Sequence, residues 1–313
     1  MKSAIYTENL CKNYGEIKAI DRVNLSVPSG LIFGFLGKNG AGKTTTIRML
    51  AGLAKPSGGE GWVDGESILD GKNLAHKIGY LPEEPAFYGW MTPIEYLDYV
   101  GRLFKIPTDE RKDRIGKLLE GLGLTGPAKR RIGGFSRGMR QRLGLAQALI
   151  NEPSVLLLDE PASALDPSGR KEVLDMIVGL RGTHTVFMST HILADAERVC
   201  DRIAIIDRGK ILIEAAQPEL RADFSVPIFE IESALEDQVR FSSWIKQLES
   251  EPWVEDVQLT GSVGRIRVTD FDIANQALPP MVVNAGFTLI RYEVVRPSLE
   301  DIFMRLVEKE GSE

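Results

Sequence analysis

Residues 37–45 read Gly-Lys-Asn-Gly-Ala-Gly-Lys-Thr-Thr and carry the strongest structural signal in the chain. They fit the pattern G-x-x-x-x-G-K-S/T, with an apolar run before them at residues 31–36 and a segment of helical character after them at residues 44–53. Strand, glycine-rich loop and helix in this order predict a phosphate-binding loop, because glycines let backbone N–H groups close around an anion at the positive end of a helix. Taken alone, the segment could also be an ordinary turn between a strand and a helix.

The side chains of this loop suit a nucleoside triphosphate that binds together with Mg²⁺. Lys43 is predicted to neutralise the β- and γ-phosphates, and the Thr44 hydroxyl is predicted to bind Mg²⁺. The other predicted phosphate contacts are Gly37, Asn39, Gly40, Ala41, Gly42 and Thr45.

A second apolar run, residues 155–158, ends in two acids, Asp159 and Glu160. Such a run is typical of a central strand in a parallel sheet that is covered on both faces. Asp159 is predicted to hold Mg²⁺ through its water shell, and Glu160 to polarise the water that attacks the γ-phosphate. The acids could alone belong to a solvated loop, but their combination with residues 37–44 favours a catalytic role.

Between these two motifs lies Phe135-Ser136-Arg137-Gly138-Met139, which resembles the signature LSGGQ of the ATP-binding subunits of ABC transporters. Ser136 is a favourable N-cap, and the apolar spacing from residue 138 to residue 150 predicts a helix. The resemblance implies that ATP is the nucleotide, and that Ser136 and Gly138 contact the γ-phosphate bound to the opposite subunit. Arg137 and Met139 depart from the usual Gly and Gln.

Further motifs of that family occur in the expected order. Residues 163–166 are similar to its D-loop, and His191, after the β-rich run 185–188, matches the histidine that contacts the γ-phosphate. Tyr14 matches the aromatic residue that stacks on adenine, although it could instead fill a turn. A lone His is more often a surface or core residue, and only its place after this strand favours the functional interpretation.

Glu83 stands where the family usually has a Gln that senses Mg²⁺ and the γ-phosphate. A carboxylate can ligate Mg²⁺, but it also brings negative charge close to the phosphates. Glu83 is therefore predicted as a metal ligand together with Thr44 and Asp159.

Residues 90–150 are predicted to form a helical subdomain inserted in the α/β core. Residues 92–95, Thr-Pro-Ile-Glu, form a capping box with Pro at the first helical position. The preceding aromatics Phe87, Tyr88 and Trp90 have two interpretations of equal weight. They could receive a helix of the membrane subunit, as the resemblance implies, or pack inside the helical subdomain.

The predicted nucleotide-binding domain covers residues 1–220, and an accessory α+β domain covers residues 221–313. The accessory domain has the predicted order β-α-β-β-α-β, consistent with a ferredoxin-like unit. It ends in a helix that Ser298 is predicted to cap. This ending resembles the C-terminal segment of ATPases that serve ABC-2 type exporters.

Composition sets further limits on the function. The 313 residues, 43% hydrophobic and 26% charged, are enough for more than one domain, and no run of about 18 apolar residues is present. We expect no signal peptide. We also expect that the two cysteines form no disulfide framework. The net charge of −6 argues against nucleic-acid binding. A basic cluster within residues 129–142 could bind nucleic acid, but a role in offsetting triphosphate charge or in a solvated face is favoured.

The sequence therefore predicts a P-loop ATPase of the α/β class that dimerises head to tail, most simply as a homodimer. It would power export through a separate membrane-spanning subunit, at the cytoplasmic face of the membrane. Two alternatives are a soluble ABC ATPase that acts on ribosomes or nucleic acid, and a nucleotide-dependent interaction module without useful turnover.

Overall fold

The computed structural model describes residues 3–163, 165–223, 228–295 and 299–303. The chain divides into two compact units, Met1–Gln217 and Pro218–Glu313. The elements up to this division are β1 (Ser3–Tyr14), β2 (Ile17–Pro28), β3 (Ile32–Leu36), α1 (Lys43–Leu50), β4 (Gly58–Val63), β5 (Glu66–Ser67), α2 (Gly71–Lys77), β6 (Ile78–Leu81), α3 (Pro93–Leu103), α4 (Thr108–Gly121), α5 (Arg137–Leu149), β7 (Val155–Asp159), α6 (Pro167–Val178), β8 (Thr185–Thr190), α7 (Leu193–Val199), β9 (Arg202–Asp207) and β10 (Lys210–Ala216). The elements from there on are α8 (Gln217–Asp223), which crosses the division, β11 (Ile228–Ser233), α9 (Gln238–Gln247), β12 (Val254–Thr260), β13 (Val263–Val268), α10 (Phe271–Asn284) and β14 (Leu289–Val295).

A six-stranded sheet in the order β10-β9-β3-β8-β7-β6 is the centre of the first unit. All its pairs are parallel except β9 with β10. Every residue of β3, β7 and β8 is buried, as the apolar runs at residues 31–36 and 155–158 predict for strands covered on both faces. The carboxyl ends of three neighbouring strands, β3, β8 and β7, therefore meet at one edge of the sheet.

A second, antiparallel sheet has the order β2-β1-β4-β5. Its strand β2 lies beside the glycine-rich loop, because Asp21 N–H donates to the Gly209 carbonyl at 2.8 Å and Gly209 N–H donates to the Ala41 carbonyl at 2.9 Å. The hairpin that carries Tyr14 is thus anchored next to residues 37–45.

The helical subdomain predicted at residues 90–150 contains α3, α4 and α5. The capping box is formed, since Thr92 Oγ1 accepts from Glu95 N–H at 3.3 Å and Glu95 Oε2 accepts from Thr92 N–H at 2.8 Å. Helix α3 is tied to α5 by a hydrogen bond of 2.7 Å from the Tyr96 hydroxyl to Gln147 Oε1. The capping box thus fixes the start of α3, and the Tyr96 bond holds this helix against α5.

The second unit has the predicted order β-α-β-β-α-β, with a fully antiparallel sheet ordered β12-β13-β11-β14. This strand order is that of a ferredoxin-like fold and confirms the prediction. Helices α9 and α10 pack on the sheet to form the core, in which Phe229 of β11 and Phe241 and Ile245 of α9 are fully buried. A Cβ built on Gly264 would lie 1.7 Å from Ile245 Cδ1, so α9 packs directly on β13.

The predicted cap Ser298 lies outside the described residues, but residues 299–303 are helical. Asp301 of this segment accepts from Arg265 Nη1 at 3.1 Å and from Arg265 Nη2 at 3.2 Å, which ties the segment to β13. Within the described part of the chain, no helix has the length and apolar character needed to cross a bilayer.

Candidate functional site

The glycine-rich loop joins β3 to α1 and can be built only with glycine at two of its positions. A Cβ on Gly37 would lie 2.4 Å from the Ile206 carbonyl oxygen, and one on Gly42, which has φ of 113°, would lie 2.8 Å from the Ala19 carbonyl oxygen. Gly42 is also the N-cap of α1 and provides no side-chain cap. The first N–H groups of the helix therefore remain available to an anion held by the loop.

Lys43 is buried, with 5% of its side chain exposed, and its ammonium group is fixed over the loop. It donates to the carbonyl oxygens of Gly37 at 2.8 Å and Lys38 at 3.2 Å, and it lies 3.2 Å from Glu160 Oε1. This position places the cation between the loop and the acid that follows β7.

Asp159 ends β7 and accepts two hydroxyl hydrogen bonds on the same oxygen, Oδ1. The donors are Thr44 Oγ1 at 3.1 Å and Ser189 Oγ at 2.7 Å. The structure thus brings together Thr44 and Asp159, both predicted to bind Mg²⁺. Their donor atoms are hard oxygens, the kind that Mg²⁺ prefers.

Burial and the nearby Asp159 carboxylate raise the pKa of Tyr80, against a smaller opposing effect of Arg48. The Tyr80 hydroxyl therefore stays protonated beside the carboxylate as the pH rises.

Glu160 is held by groups from α1, from β8 and from the residue that follows β8. Its backbone N–H donates to Ser189 Oγ at 3.0 Å, His191 Nδ1 lies 2.9 Å from its Oε2, and Lys43 faces its Oε1. Its φ of 48° lies in the left-handed region, which is unusual and costly for a residue with a side chain. Such strain at a buried acid is typical of a functional site.

One cleft collects most of the predicted residues. It is lined by Ala19, Asn39, Gly40, Gly42, Lys43, Thr44, Thr45, Glu83, Glu160 and His191. Glu83 therefore shares the cleft with the phosphate-binding loop. The cleft is open to solvent on the side of His191, whose side chain is 40% exposed.

Five predicted ATP contacts are not among the residues that line this cleft: Gly37 and Ala41 within the glycine-rich loop, and Tyr14, Ser136 and Gly138 outside it. Tyr14 is half exposed, and Lys12 Nζ lies 5.0 Å from the centre of its ring. Ser136 caps α5, because its Oγ accepts from Met139 N–H at 3.3 Å, and Gly138 is in the first turn of the same helix.

The sequence prediction missed two residues of the site. Ser189 bridges the Asp159 carboxylate and the Glu160 N–H, and a hydroxyl at the carboxyl end of a buried strand is a signal that could have identified it. Ala19 lines the cleft because β2 lies beside the loop, and no local sequence pattern indicates this.

Replacing Ser189 by Ala should lower kcat for nucleotide hydrolysis about tenfold, since it removes a hydrogen bond to a buried carboxylate worth about 1.5–3 kcal/mol. The nucleotide Kd should change much less, because Lys43 and the loop remain. Steady-state phosphate release and titration of a fluorescent nucleotide would measure the two quantities. The matched control is Thr190→Ala, at the next position of β8, where the hydroxyl accepts from Ile192 N–H. A Ser189→Ala variant with unchanged kcat would show that the bridge has no part in turnover.

Comparison with known proteins gives matches to both units of the chain. A family model described as ABC transporter matches residues 20–163, and one described as ATP-binding protein DrrA1-3-like, C-terminal domain, matches residues 218–307. The uncharacterized ABC transporter ATP-binding protein YxlF of Bacillus subtilis is 41% identical over 300 residues, which cover 96% of this chain and 98% of YxlF.

Two relatives have names that refer to transport of an antibiotic or to drug resistance. The bacitracin transport ATP-binding protein BcrA of Bacillus licheniformis is 37% identical over 310 residues, covering 98% of each chain. The daunorubicin/doxorubicin resistance ATP-binding protein DrrA of Streptomyces peucetius is 38% identical over 222 residues, covering 70% of this chain and 67% of DrrA.

Solved structures match about seven-tenths of the chain. An ATP-binding subunit of an ABC transporter aligns with a TM-score of 0.65 and 28% identity, covering 71% of this chain and 93% of that one. A dimeric ATP-binding cassette in a post-hydrolysis state, bound to ADP and Pi, aligns with a TM-score of 0.61 and 28% identity, covering 68% of this chain and 98% of that one.

Proposed function

The chain belongs to the family of ABC transporter ATP-binding proteins, and we propose that it powers export through a separate membrane-spanning subunit. It binds and hydrolyses ATP, as members of this family do. Export is supported by the relatives named for bacitracin transport and for daunorubicin/doxorubicin resistance. In this proposal residues 1–220 are the ATPase domain and residues 221–313 an accessory domain.

One observation carries the proposed catalytic assignment. A continuous chain of contacts runs from Thr44 through Asp159 and Ser189 to Glu160, and from there to Lys43 and His191. It joins the start of α1 to the ends of the adjacent strands β7 and β8, so a phosphate held by the loop would face an acid that is already oriented. This arrangement suits in-line attack by water on a γ-phosphate.

In the proposed mechanism, the Lys43 ammonium group shifts from Glu160 to the β- and γ-phosphates of bound ATP. Glu160 Oε1 is then free to accept a hydrogen bond from water. His191 remains on Oε2 and holds the carboxylate in position at the mouth of the cleft. Thr44 and Asp159 would hold Mg²⁺, joined by Glu83 from the facing loop. When bound, the ion offsets the negative charge of the phosphates.

We propose that Ser136 and Gly138 complete the site of a second copy of the chain, and that Tyr14 stacks on the adenine. Ser136 and Gly138 lie at the start of α5 and do not line the cleft of their own chain. The solved relative that is a dimer supports the pairing of two copies. ATP would then bridge two subunits, and hydrolysis would separate them.

Two substitutions at Ser136 separate its capping role from this proposed contact. Ser136→Ala removes the cap and should lower the free energy of unfolding by about 1 kcal/mol. Ser136→Asp keeps a capping oxygen but brings a carboxylate toward the γ-phosphate, so it should keep stability and lose ATP-dependent dimerisation. Urea denaturation measures the first quantity, and sedimentation velocity with MgATP in a Glu160→Gln background measures the second. If Ser136→Asp dimerises at the same ATP concentrations as the protein with Ser136, residue 136 does not contact the γ-phosphate of the second copy.

The aromatic residues before α3 divide between the two roles considered for them. Phe87 is partly buried and packs edge to face on Tyr96 with ring centres 5.0 Å apart, so it packs against α3 of its own subdomain. Tyr88 and Trp90 are more than half exposed, and the centres of their rings lie 6.0 Å apart. We propose that this exposed pair binds the membrane subunit at the cytoplasmic face of the membrane.

The basic cluster is partly neutralised within the chain, which weakens the case for nucleic acid. Arg137 Nη2 lies 3.4 Å from Glu84 Oε1, and Arg142 Nη1 lies 3.5 Å from Glu172 Oε2. These ion pairs support the interpretation of the cluster as a solvated face.

Copurification tests the proposed function. The Glu160→Gln variant, expressed in its native cell and extracted with mild detergent in MgATP, should retain a polytopic membrane protein. A Tyr88→Ala/Trp90→Ala derivative should lose that protein while still binding ATP. Recovery of ribosomes or nucleic acid in place of a membrane protein would overturn the proposal.

A further inference from the structure

Strand β14 is the edge of the sheet in the second unit and, among the described residues, pairs only with β11. It exposes apolar side chains to solvent: Ile290 is 60% exposed, Leu289 44% and Val294 42%. Exposed edges of this kind can pair with another chain, and proteins usually protect them with Lys, Pro or a covering segment. The residues of β14 include no Lys and no Pro.

The sequence of β14 is complementary to itself in the antiparallel direction. It reads Leu-Ile-Arg-Tyr-Glu-Val-Val, with Tyr292 at its centre. Two copies paired about Tyr292 place Arg291 opposite Glu293 of the second copy, and Ile290 opposite Val294. Opposite charges and apolar residues that face each other across strands stabilise a sheet, whereas like charges that face each other destabilise it.

The charged pair lies on the side of the sheet away from the helices. Arg291 contacts Glu230, and it also contacts Glu232 and Glu293 of its own chain at 3.3 Å each, while the Glu293 side chain is still 52% exposed. Tyr292 is on the opposite side of the strand and packs against the core. The open side of Glu293 can therefore accept a second Arg without disturbing the core.

A bulge at one end of the strand keeps the other end regular. Glu232 pairs with Arg291 and Ser233 with Leu289, so Ile290 is left out of the ladder with β11. Residues 291–295 continue as regular pairs with β11. This regular part contains the centre of the self-complementary sequence.

We propose that β14 pairs antiparallel with β14 of a second copy of this chain, centred on Tyr292, to form one continuous sheet across two accessory domains. The interface is isologous and needs a two-fold axis. It is independent of nucleotide, and in this respect it differs from the ATP-dependent dimer proposed above.

Cysteine pairing tests both the interface and its register. Ile290→Cys chains and Val294→Cys chains, each with Cys11→Ser, are mixed without nucleotide in EDTA and oxidised mildly. Cys200 is buried, and burial strongly raises the pKa of its thiol, so it stays unreactive. The mixture should form a disulfide dimer, whereas each variant alone should not, because positions 290 of the two copies would lie about 13 Å apart along the strands.

If Ile290→Cys alone cross-links to the same extent as the mixture, the strands do not pair in the register centred on Tyr292. If the mixture forms no cross-link, β14 does not form the interface. A monomer in which the thiol introduced at position 290 reacts slowly with a thiol reagent would show that the same chain covers the edge, which also contradicts the proposal.

A second measurement introduces one Lys either into the proposed interface or at an exposed apolar position outside it. Ile290→Lys should raise the dimer Kd in nucleotide-free sedimentation at least tenfold, whereas Val283→Lys, on an apolar residue of α10 that is 80% exposed, should leave it unchanged. Equal effects of the two variants would contradict the proposal. Because ATP is absent, neither result depends on the catalytic assignment.

Discussion

Replacing Glu160 by Gln should lower the turnover of ATP by a factor on the order of 10²–10⁴, the range typical of removing a general base. The amide cannot accept the proton of the attacking water. It keeps the size of the side chain, its oxygen can face Lys43, and its NH2 group can donate to His191 Nδ1, so the site should stay assembled. ATP binding should therefore be preserved, and steady-state phosphate release with a parallel Kd for ATP checks both statements.

The matched control for this variant is Glu84→Gln. Glu84 is an exposed acid whose side chain pairs at 3.4 Å with Arg137. Its substitution should leave kcat within about twofold, as expected for a surface ion pair. Undiminished hydrolysis in Glu160→Gln would exclude Glu160 as the base.

Replacing Lys43 by Met should have two large effects. The affinity for ATP should fall by a factor on the order of 10²–10³, because truncating one partner of a buried charge contact costs about 2–5 kcal/mol. Even without nucleotide, the free energy of unfolding should fall by about 3 kcal/mol, since Glu160, 6% exposed, loses its buried counter-charge. Calorimetric titration with ATP and urea denaturation measure the two effects.

A double variant separates these effects. Lys43→Met/Glu160→Gln removes both charges and should recover most of the stability, but none of the ATP affinity. Lys38→Met, at an exposed lysine of the same loop, is the control for a change of net charge. If the double variant is as unstable as the single one, the ion pair is not what Lys43 contributes to folding.

Much of the fold could be predicted from local patterns. The apolar runs at residues 31–36 and 155–158 lie in buried parallel strands, and Ser136 caps its helix, because burial and capping depend on neighbouring residues. The order of elements after residue 227 also follows from local periodicity, and with it the ferredoxin-like topology. Each of these features repeats over a few residues or ends in a typical cap.

The contacts that assemble the site were less accessible to such reasoning. Lys43 and Glu160 are separated by more than a hundred residues, and their approach depends on the order in which β3, β8 and β7 pair. The same strand order places Ser189 between Asp159 and Glu160. For Phe87 and Trp90 the sequence left two roles open, because one apolar surface can face a core or a partner.

The left-handed backbone of Glu160 has a consequence for how this protein could evolve or be engineered. That conformation costs a residue with a side chain about 1–2 kcal/mol, whereas Gly or Asn adopts it readily. Replacing the acid by either residue would relieve that strain, but it would leave the buried ammonium group of Lys43 without its counter-charge, at a cost of about 3–5 kcal/mol. The strained acid and the buried lysine are therefore best gained or lost together, so a change at one position limits what the other can tolerate.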